Sequence, residues 1–417
     1  MVPAHLPARL VDWLGQGRAA ILLLVALMAT PGAAQTSAPP AGSVPPFLIQ
    51  SDNGDNRLRI GALAQIDARV PVDGLDRSAV QTFTTRRLRG ILDGRAGRHI
   101  EFFLNVDAVG GTATIFDGYF DTVVSPAFRV RLGKARVPFS YDRSILVAQM
   151  LFIERGLVAT VSPNRDTGVQ VMGDLAQGRL TYQSSLTNGV IDGGRSDTDT
   201  GSATHVAGKV TVRPWVSQPG HALAGLSLLL AADTGMQGTQ LPAFNSHGQQ
   251  TIFRYARAEA DGRRTRWSPM AAYNRGPFWG WIEFVRSAGG VRPVSGTRTV
   301  VGHEAFEVAG SWVLTGEAAP ERNPRPSVNF DPPSGHLGAW QIAARYETLS
   351  VDEAAARSGV AAAGSNLTMR SATAAVNWYL NPYLKYEFDL VRTTFARHVG
   401  PPRPAETLVL VRGQLAF

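Results

Sequence analysis

The sequence predicts an all-β protein: a transmembrane antiparallel β-barrel of sixteen strands, with eighteen as the alternative, narrowed by an inward-folded loop. Three observations predict it. Segments alternating apolar and polar residues recur along most of the chain, punctuated by 43 glycines and 26 prolines. Beyond the N-terminal region no stretch approaches 18 apolar residues, which excludes helical spans. The last alternating segment, 407–417, carries Val409, Val411, Gly413, Leu415 and Phe417 on one face and Arg412 and Gln414 on the other, and stops on the aromatic residue.

In chain order, Arg9 and Arg18 precede an apolar run over 19–28 and a small-residue cleavage pattern at Pro31-Gly-Ala-Ala34. The run is too short to span a bilayer as a helix, so residues 1–34 read as an export signal. Residues 35–56, opening with a stretch rich in Ala, Pro, Ser and Thr, read as a tether, and 57–417 as the barrel. With no cysteine, an exported chain of this length is held together without disulfides or thiolate metal sites.

The strands are read at period two. Over 58–69 the even positions are Leu58, Ile60, Ala62, Ala64, Ile66 and Ala68, against Arg59, Gln65, Asp67 and Arg69. Over 99–107, Ile100, Phe102, Leu104 and Val106 oppose His99, Glu101, Asn105 and Asp107. The pattern returns over 179–187, 206–213 and 340–347. A half-buried soluble sheet alternates in the same way; in a barrel the apolar face meets lipid and the polar face lines a channel. Trp267, Trp279, Trp281, Trp312, Trp340, Trp378, Tyr379 and Tyr383 fall near strand ends, where interfacial girdles would need them. Strand-like stretches number about seventeen, and a closed bacterial barrel has an even count. Turns or loops are expected at 70–79, 189–202, 235–248, 288–296, 317–335 and 352–366, unequal enough for one rim of short turns and one of long external loops.

Alternation stops over 138–166, where an apolar run, 145–153, is bracketed by Asp142, Arg143, Glu154, Arg155, Arg165 and Asp166. A loop this long in such a chain tends to be functional. It reads either as a segment folded into the bore or as a surface excursion with one amphipathic helical turn. On the strands, parity turns Arg59, Arg69, Arg87, Arg89, Lys209, Arg213, Arg345 and Arg412 inward, opposed by Asp67, Asp93, Glu101, Asp107 and Glu347. Either they bias the pore toward anions, or they pair across strands and only solvate it.

In their order along the chain, Arg131-Leu-Gly-Lys134 leading to Pro138-Phe-Ser140, then Ile153-Glu-Arg155, Arg165-Asp-Thr-Gly168, Asn188-Gly189, Gly338-Ala-Trp340, Ala344-Arg-Tyr346 and Asn377-Trp-Tyr379 resemble the phosphate-selective porins O and P. The resemblance spans nearly all of the chain after the signal. It implies a sixteen-stranded barrel, usually a homotrimer, whose third external loop forms the constriction. It also implies that Arg86, Arg87, Arg143 and Arg155 line the narrow zone, with Asp117 as an acidic partner. The sequence departs from that pattern at Leu63 and Ala148, where members carry basic residues, and at Arg89 and Arg136, where they carry aromatics. A general anion preference fits these departures better than a tight phosphate site.

The expected function is therefore passive diffusion of small hydrophilic solutes, anions such as phosphate foremost, through the bacterial outer membrane, with no cofactor, no metal and no catalysis. The expected partners are outer-membrane lipid and, through Phe417, the barrel assembly machinery. No Gly-x-Ser-x-Gly is present and the eight histidines lack metal-ligand spacing. The excess of 41 basic over 33 acidic residues is dispersed, without the patch that nucleic-acid binding needs. The competing reading is a non-conducting barrel acting as adhesin or receptor through loops such as 317–335.

Overall fold

A computed structural model describes residues 47–73, 82–194, 204–319 and 321–417. The expected signal, most of the tether and part of the 70–79 turn lie outside them. Nineteen strands are described. They are β1 (Leu48–Gln50), β2 (Arg57–Asp73), β3 (Phe83–Ala96), β4 (Ile100–Asp107), β5 (Thr114–Ser125), β6 (Phe128–Arg136) and β7 (Arg165–Leu175). Then come β8 (Leu180–Thr187), β9 (His205–Val212), β10 (Leu226–Met236), β11 (Ala243–Asn245), β12 (Thr251–Arg254) and β13 (Ala258–Arg275). The last six are β14 (Phe278–Pro293), β15 (Thr299–Val313), β16 (Ala339–Val351), β17 (Asn366–Tyr379), β18 (Leu384–His398) and β19 (Glu406–Ala416).

Sixteen of them, β2–β10 and β13–β19, form one antiparallel ring. It closes where β19 pairs with β2, from Thr407 opposite Asp73 to Ala416 opposite Leu63. The other three explain the odd count: β1 folds back on the start of β2, and β11 and β12 make a separate hairpin inside one connection.

Parity decides what each face meets. On β2, Leu63, Gln65, Asp67 and Arg69 are buried in the lumen, while Ile60, Ile66 and Val70 are exposed on the outer wall. The outer wall repeats this with Leu88, Leu132, Leu186, Leu230, Ile342 and Leu390, the apolar surface a bilayer requires. Near one rim the outward aromatics of adjacent strands meet directly: Phe278 is opposite Trp312, Trp340 opposite Trp378, and Trp378 opposite Tyr386. Trp279, Trp281 and Tyr379 do not join this belt. They share parity with Glu283 and Gln341, face inward, and are buried.

That rim carries Phe417 and short connections such as 126–127 and 276–277; outer-membrane barrels point such turns to the periplasm. The longest connection to alternate onto the opposite rim is 137–164. Two expected turns sit differently. Strand β14 continues to Pro293 through Gly289 and Gly290; at Gly290 the missing side chain leaves room for the Asp261 carbonyl oxygen and the Arg298 side chain, which a Cβ would meet. The 317–335 loop is not external: β15 descends to the rim of short turns and β16 rises from it, so the described residues of 314–338 lie on the periplasmic rim.

Candidate functional site: the lumenal constriction

The connection between β6 and β7 folds into the lumen. Ser140 caps a helical turn, α1 (Tyr141–Ser144), accepting a hydrogen bond from the Arg143 N–H at 3.1 Å. A second short helix, α2 (Leu157–Val161), ends the segment. Phe139, Leu151, Ile153, Leu157, Val158 and Val161 are buried against the wall.

Backbone donors freed by the irregular path need acceptors, and the far wall supplies them as carboxylates. Glu283 accepts from the N–H groups of Tyr141 and Asp142 at 3.2 and 2.9 Å, Glu347 from Leu157 at 2.7 Å, and Asp389 from Ile153 at 2.8 Å. Donors on the same wall take the loop's carbonyls: Lys385 bonds Met150 at 2.9 Å, Asn377 bonds Leu151 at 3.0 Å, and Arg345 bonds Glu154 at 3.0 Å. Gly156 permits the closest approach, since a Cβ there would stand 1.4 Å from the Glu307 Oε2.

On the near wall two β-bulges reorganise the lumen-facing side chains. Gln65 pairs with Arg87 and Ile66 with Thr85, so Arg86 is the extra residue and both arginines turn inward. Arg86 reaches Glu154 at 3.1 Å; Arg87 donates to Gln65 at 2.7 Å. The second bulge makes Phe116 the extra residue beside Asp117. Its ring lies 4.0 Å beneath the Arg89 guanidinium, which also pairs with Asp107 at 2.9 Å.

Between this wall and the loop lies a cavity of about 510 Å³. Among the described residues its lining includes six arginines (Arg86, Arg87, Arg89, Arg143, Arg155 and Arg165) and three carboxylates (Asp107, Glu154 and Asp192). Burial would raise the Glu154 carboxyl, but Arg86 and Arg69, then Arg412 and Arg87, outweigh it and hold it at about 2. Burial and the neighbouring Arg155 pull the Arg143 guanidinium below its ordinary value, to about 9, leaving it charged at neutral pH. Arg143 donates to the Ala159 carbonyl at 2.6 Å, and Arg155 to those of Asp142 and Ile145 with the Asp142 carboxylate 3.4 Å away, so both brace the loop.

Sequence reasoning brings Arg86, Arg87, Arg143 and Arg155 to this cavity. Asp117 lies behind it and binds Arg165, at 2.8 and 3.1 Å, rather than the Arg86–Arg87 pair. Of the inward strand residues, Arg69 binds Glu154, Arg412 binds Asp67 at 2.6 Å, Arg345 lies 3.4 Å from Glu347 and Arg59 pairs with Asp93 at the rim. Lys209 faces the lumen. Arg213 lies just past β9 and donates to Thr181 at 3.2 Å. Phe116, Glu283, Glu307 and Asp389 are not among the residues the sequence points to; inward parity marks the three carboxylates, but only the folded loop gives Glu283 and Asp389 their backbone donors, while Glu307 accepts from the Trp281 indole on its own wall at 2.6 Å.

A closed sixteen-stranded barrel with an apolar outer wall, a charged bore and one loop folded into that bore is an outer-membrane porin. This chain belongs to the phosphate-selective porin O and P family, whose model matches residues 59–417. Solved structures agree on the fold. The outer membrane channel DcaP of Acinetobacter baumannii is 13% identical with a TM-score of 0.57, covering 88% of this chain and 99% of that one. An anion-selective porin from Comamonas acidovorans is 11% identical with a TM-score of 0.55, covering 87% and 100%. The trimer form of OmpT from Vibrio cholerae is 8% identical with a TM-score of 0.54, covering 87% and 99%. The chain matches no curated protein sequence.

Proposed function

We propose that this porin prefers anions, with phosphate or oligophosphate as the favoured solutes, and works as a homotrimer exported by its 1–34 signal. The observation that carries the reading is the cavity with six arginines against three carboxylates among its described lining residues. Guanidinium groups take phosphate oxygens in a forked geometry, and in a low-dielectric pore their field repels cations. Conduction also requires release. Phe116 beneath Arg89 and carbonyls on Arg143 and Arg155 already occupy part of each fork, which favours passage over tight capture. The anion-selective neighbour and the family's description support the same direction. Against the receptor reading stands the position of the described residues of 317–335, the loop that exemplifies it, on the rim of short turns.

The test is single-channel conductance in planar bilayers, with reversal potential under a salt gradient and phosphate titration. Anion selectivity, with phosphate block weakened in the Arg143→Ala, Arg155→Ala double variant, is expected. A cation-selective or unselective pore indifferent to phosphate overturns the reading.

A further inference from the structure

On the outer wall of β17 and β18 the aromatic belt of the periplasmic rim gives way to aliphatic side chains and then to cations. On β17 the outward parity runs from Trp378 through Val376, Ala374 and Ala372 to Arg370, which is exposed. On β18 it runs from Tyr386 through Phe388 and Leu390 to Arg392, half exposed. Strands rise about 3.4 Å per residue and tilt by about 40° in such barrels, so Arg370, eight residues from Trp378, stands about 20 Å above the belt. The apolar band of an outer-membrane barrel is about 25 Å tall, and a long arginine side chain covers the remaining distance to the external headgroups.

A cation on a lipid-facing wall calls for a counter-charge. On β14 and β15 the outward Arg286 and Glu304 sit opposite each other and pair. Arg370 has no such neighbour: its ladder partners are Thr348 on β16 and Thr394 on β18, and among the described residues no ion pair or hydrogen bond reaches its guanidinium. Arg392, two residues from Thr394 on the same face of β18, is the diagonal neighbour of Arg370 at about 7–8 Å. Just above them Arg397 donates to Thr368 at 2.6 Å. The acids stand at the margins of the cluster, where Asp73 accepts from Arg392 at 2.9 Å, beside Thr407, and Glu353 lies 3.6 Å from Arg397. Guanidinium forks with hydroxyls between them present donors to the oxygens of a phosphate group.

We propose that this face binds an anionic lipid of the outer leaflet, its phosphate held between Arg370 and Arg392 with the Thr394 hydroxyl donating to it. Charge complementarity at that height identifies the occupant. A bilayer meets this wall with acyl chains along Ala372, Ala374 and Leu390 and with its phosphates level with the arginines. The lipid supplies to Arg370 what Glu304 supplies to Arg286. The site lies on the outside of the barrel, apart from whatever the lumen conducts.

The test titrates the full-length folded protein in detergent with lipid A and with dephosphorylated lipid A, and reads bound lipid by native mass spectrometry. The wild type is expected to hold lipid A at least about tenfold more tightly than the dephosphorylated form, and the Arg370→Ala, Arg392→Ala double variant to keep no more than about a twofold preference. A folded double variant with the wild-type preference overturns the proposal. A double variant that folds but falls from an oligomer to a monomer assigns the face to a second copy of the chain and overturns it as well. A wild type that takes both lipids equally does the same, even where the double variant fails to fold.

Discussion

The two walls of the lumen carry charge to different ends. On the far wall, Glu283, Glu347 and Asp389 face inward on β14, β16 and β18, and each accepts backbone N–H groups of the folded loop. On the near wall, Arg86, Arg87 and Arg89 line the open cavity. The far-wall acids point into the backbone of the folded loop, whereas the arginines border the open cavity, where six of them face three carboxylates among the described lining residues. The charge nearest a passing solute is therefore mostly that of the arginines. What an inward charge does is set by whether the fold turns it to the loop or to the open cavity, not by parity alone.

The strongest way to break this division is to push the loop off the far wall. A Gly156→Val side chain would bring its Cβ to 1.4 Å from the Glu307 carboxylate, so either that carboxylate or the loop must move. The Trp281 indole anchors Glu307 at 2.6 Å, so the loop is expected to yield, and single-channel conductance should rise at least about twofold, with selectivity falling as Arg143 and Arg155 move with it. Unchanged conductance would mean that Glu307 swings aside and the loop stays on the wall.

A second variant separates structural from solute-facing cations. Arg412 is fully buried, bonds Asp67 at 2.6 and 2.8 Å and lies 3.8 Å from Glu387. Arg412→Ala strands the buried Asp67 carboxylate, while Glu387 keeps Lys385 at 3.0 Å, and should cost about 3–5 kcal/mol, read as a lower unfolding midpoint in denaturant. Its residual folded fraction should keep near-wild-type selectivity. Arg87→Ala should do the reverse. That side chain is bound to the neutral Gln65, so stability should fall by only about 0.5–1.5 kcal/mol while the reversal potential moves toward zero. A large loss of stability in Arg87→Ala would erase the distinction between the walls.

Much of this barrel is legible in the sequence because period-two alternation is local. Leu58 to Arg69 shows both faces of β2 without any knowledge of its neighbours. The rim assignment of 317–335 is equally available, by counting strands, and is missed only when loop length stands in for parity. The site is harder. Adjacent Arg86 and Arg87 read as one residue in and one out, and nothing local announces the bulge that turns both inward. The acceptors of the loop's N–H groups lie 141, 190 and 236 residues away, so no local pattern could show which carboxylates are taken.

The smallest effect tests the one acid that the loop itself brings to the near wall. Glu154 joins Arg69 and Arg86 at 3.0 and 3.1 Å, and these arginines hold it at about 2 against an ordinary value of 4.5. A carboxyl lowered in the folded state stabilises that state fully above its ordinary value; the contribution declines below it and is lost as pH falls through about 2. Conductance and selectivity should therefore hold level from neutral pH down to the ordinary carboxylate range, then shift as the solution approaches pH 2. Glu154→Gln should show the acid-side behaviour already at neutral pH: slightly stronger anion preference, because Arg69 and Arg86 lose their counter-charge, and a noisier open state. A transition centred near 4.5 would mean that Glu154 is not held by the arginine pair, and that the near wall reaches the loop by some other contact.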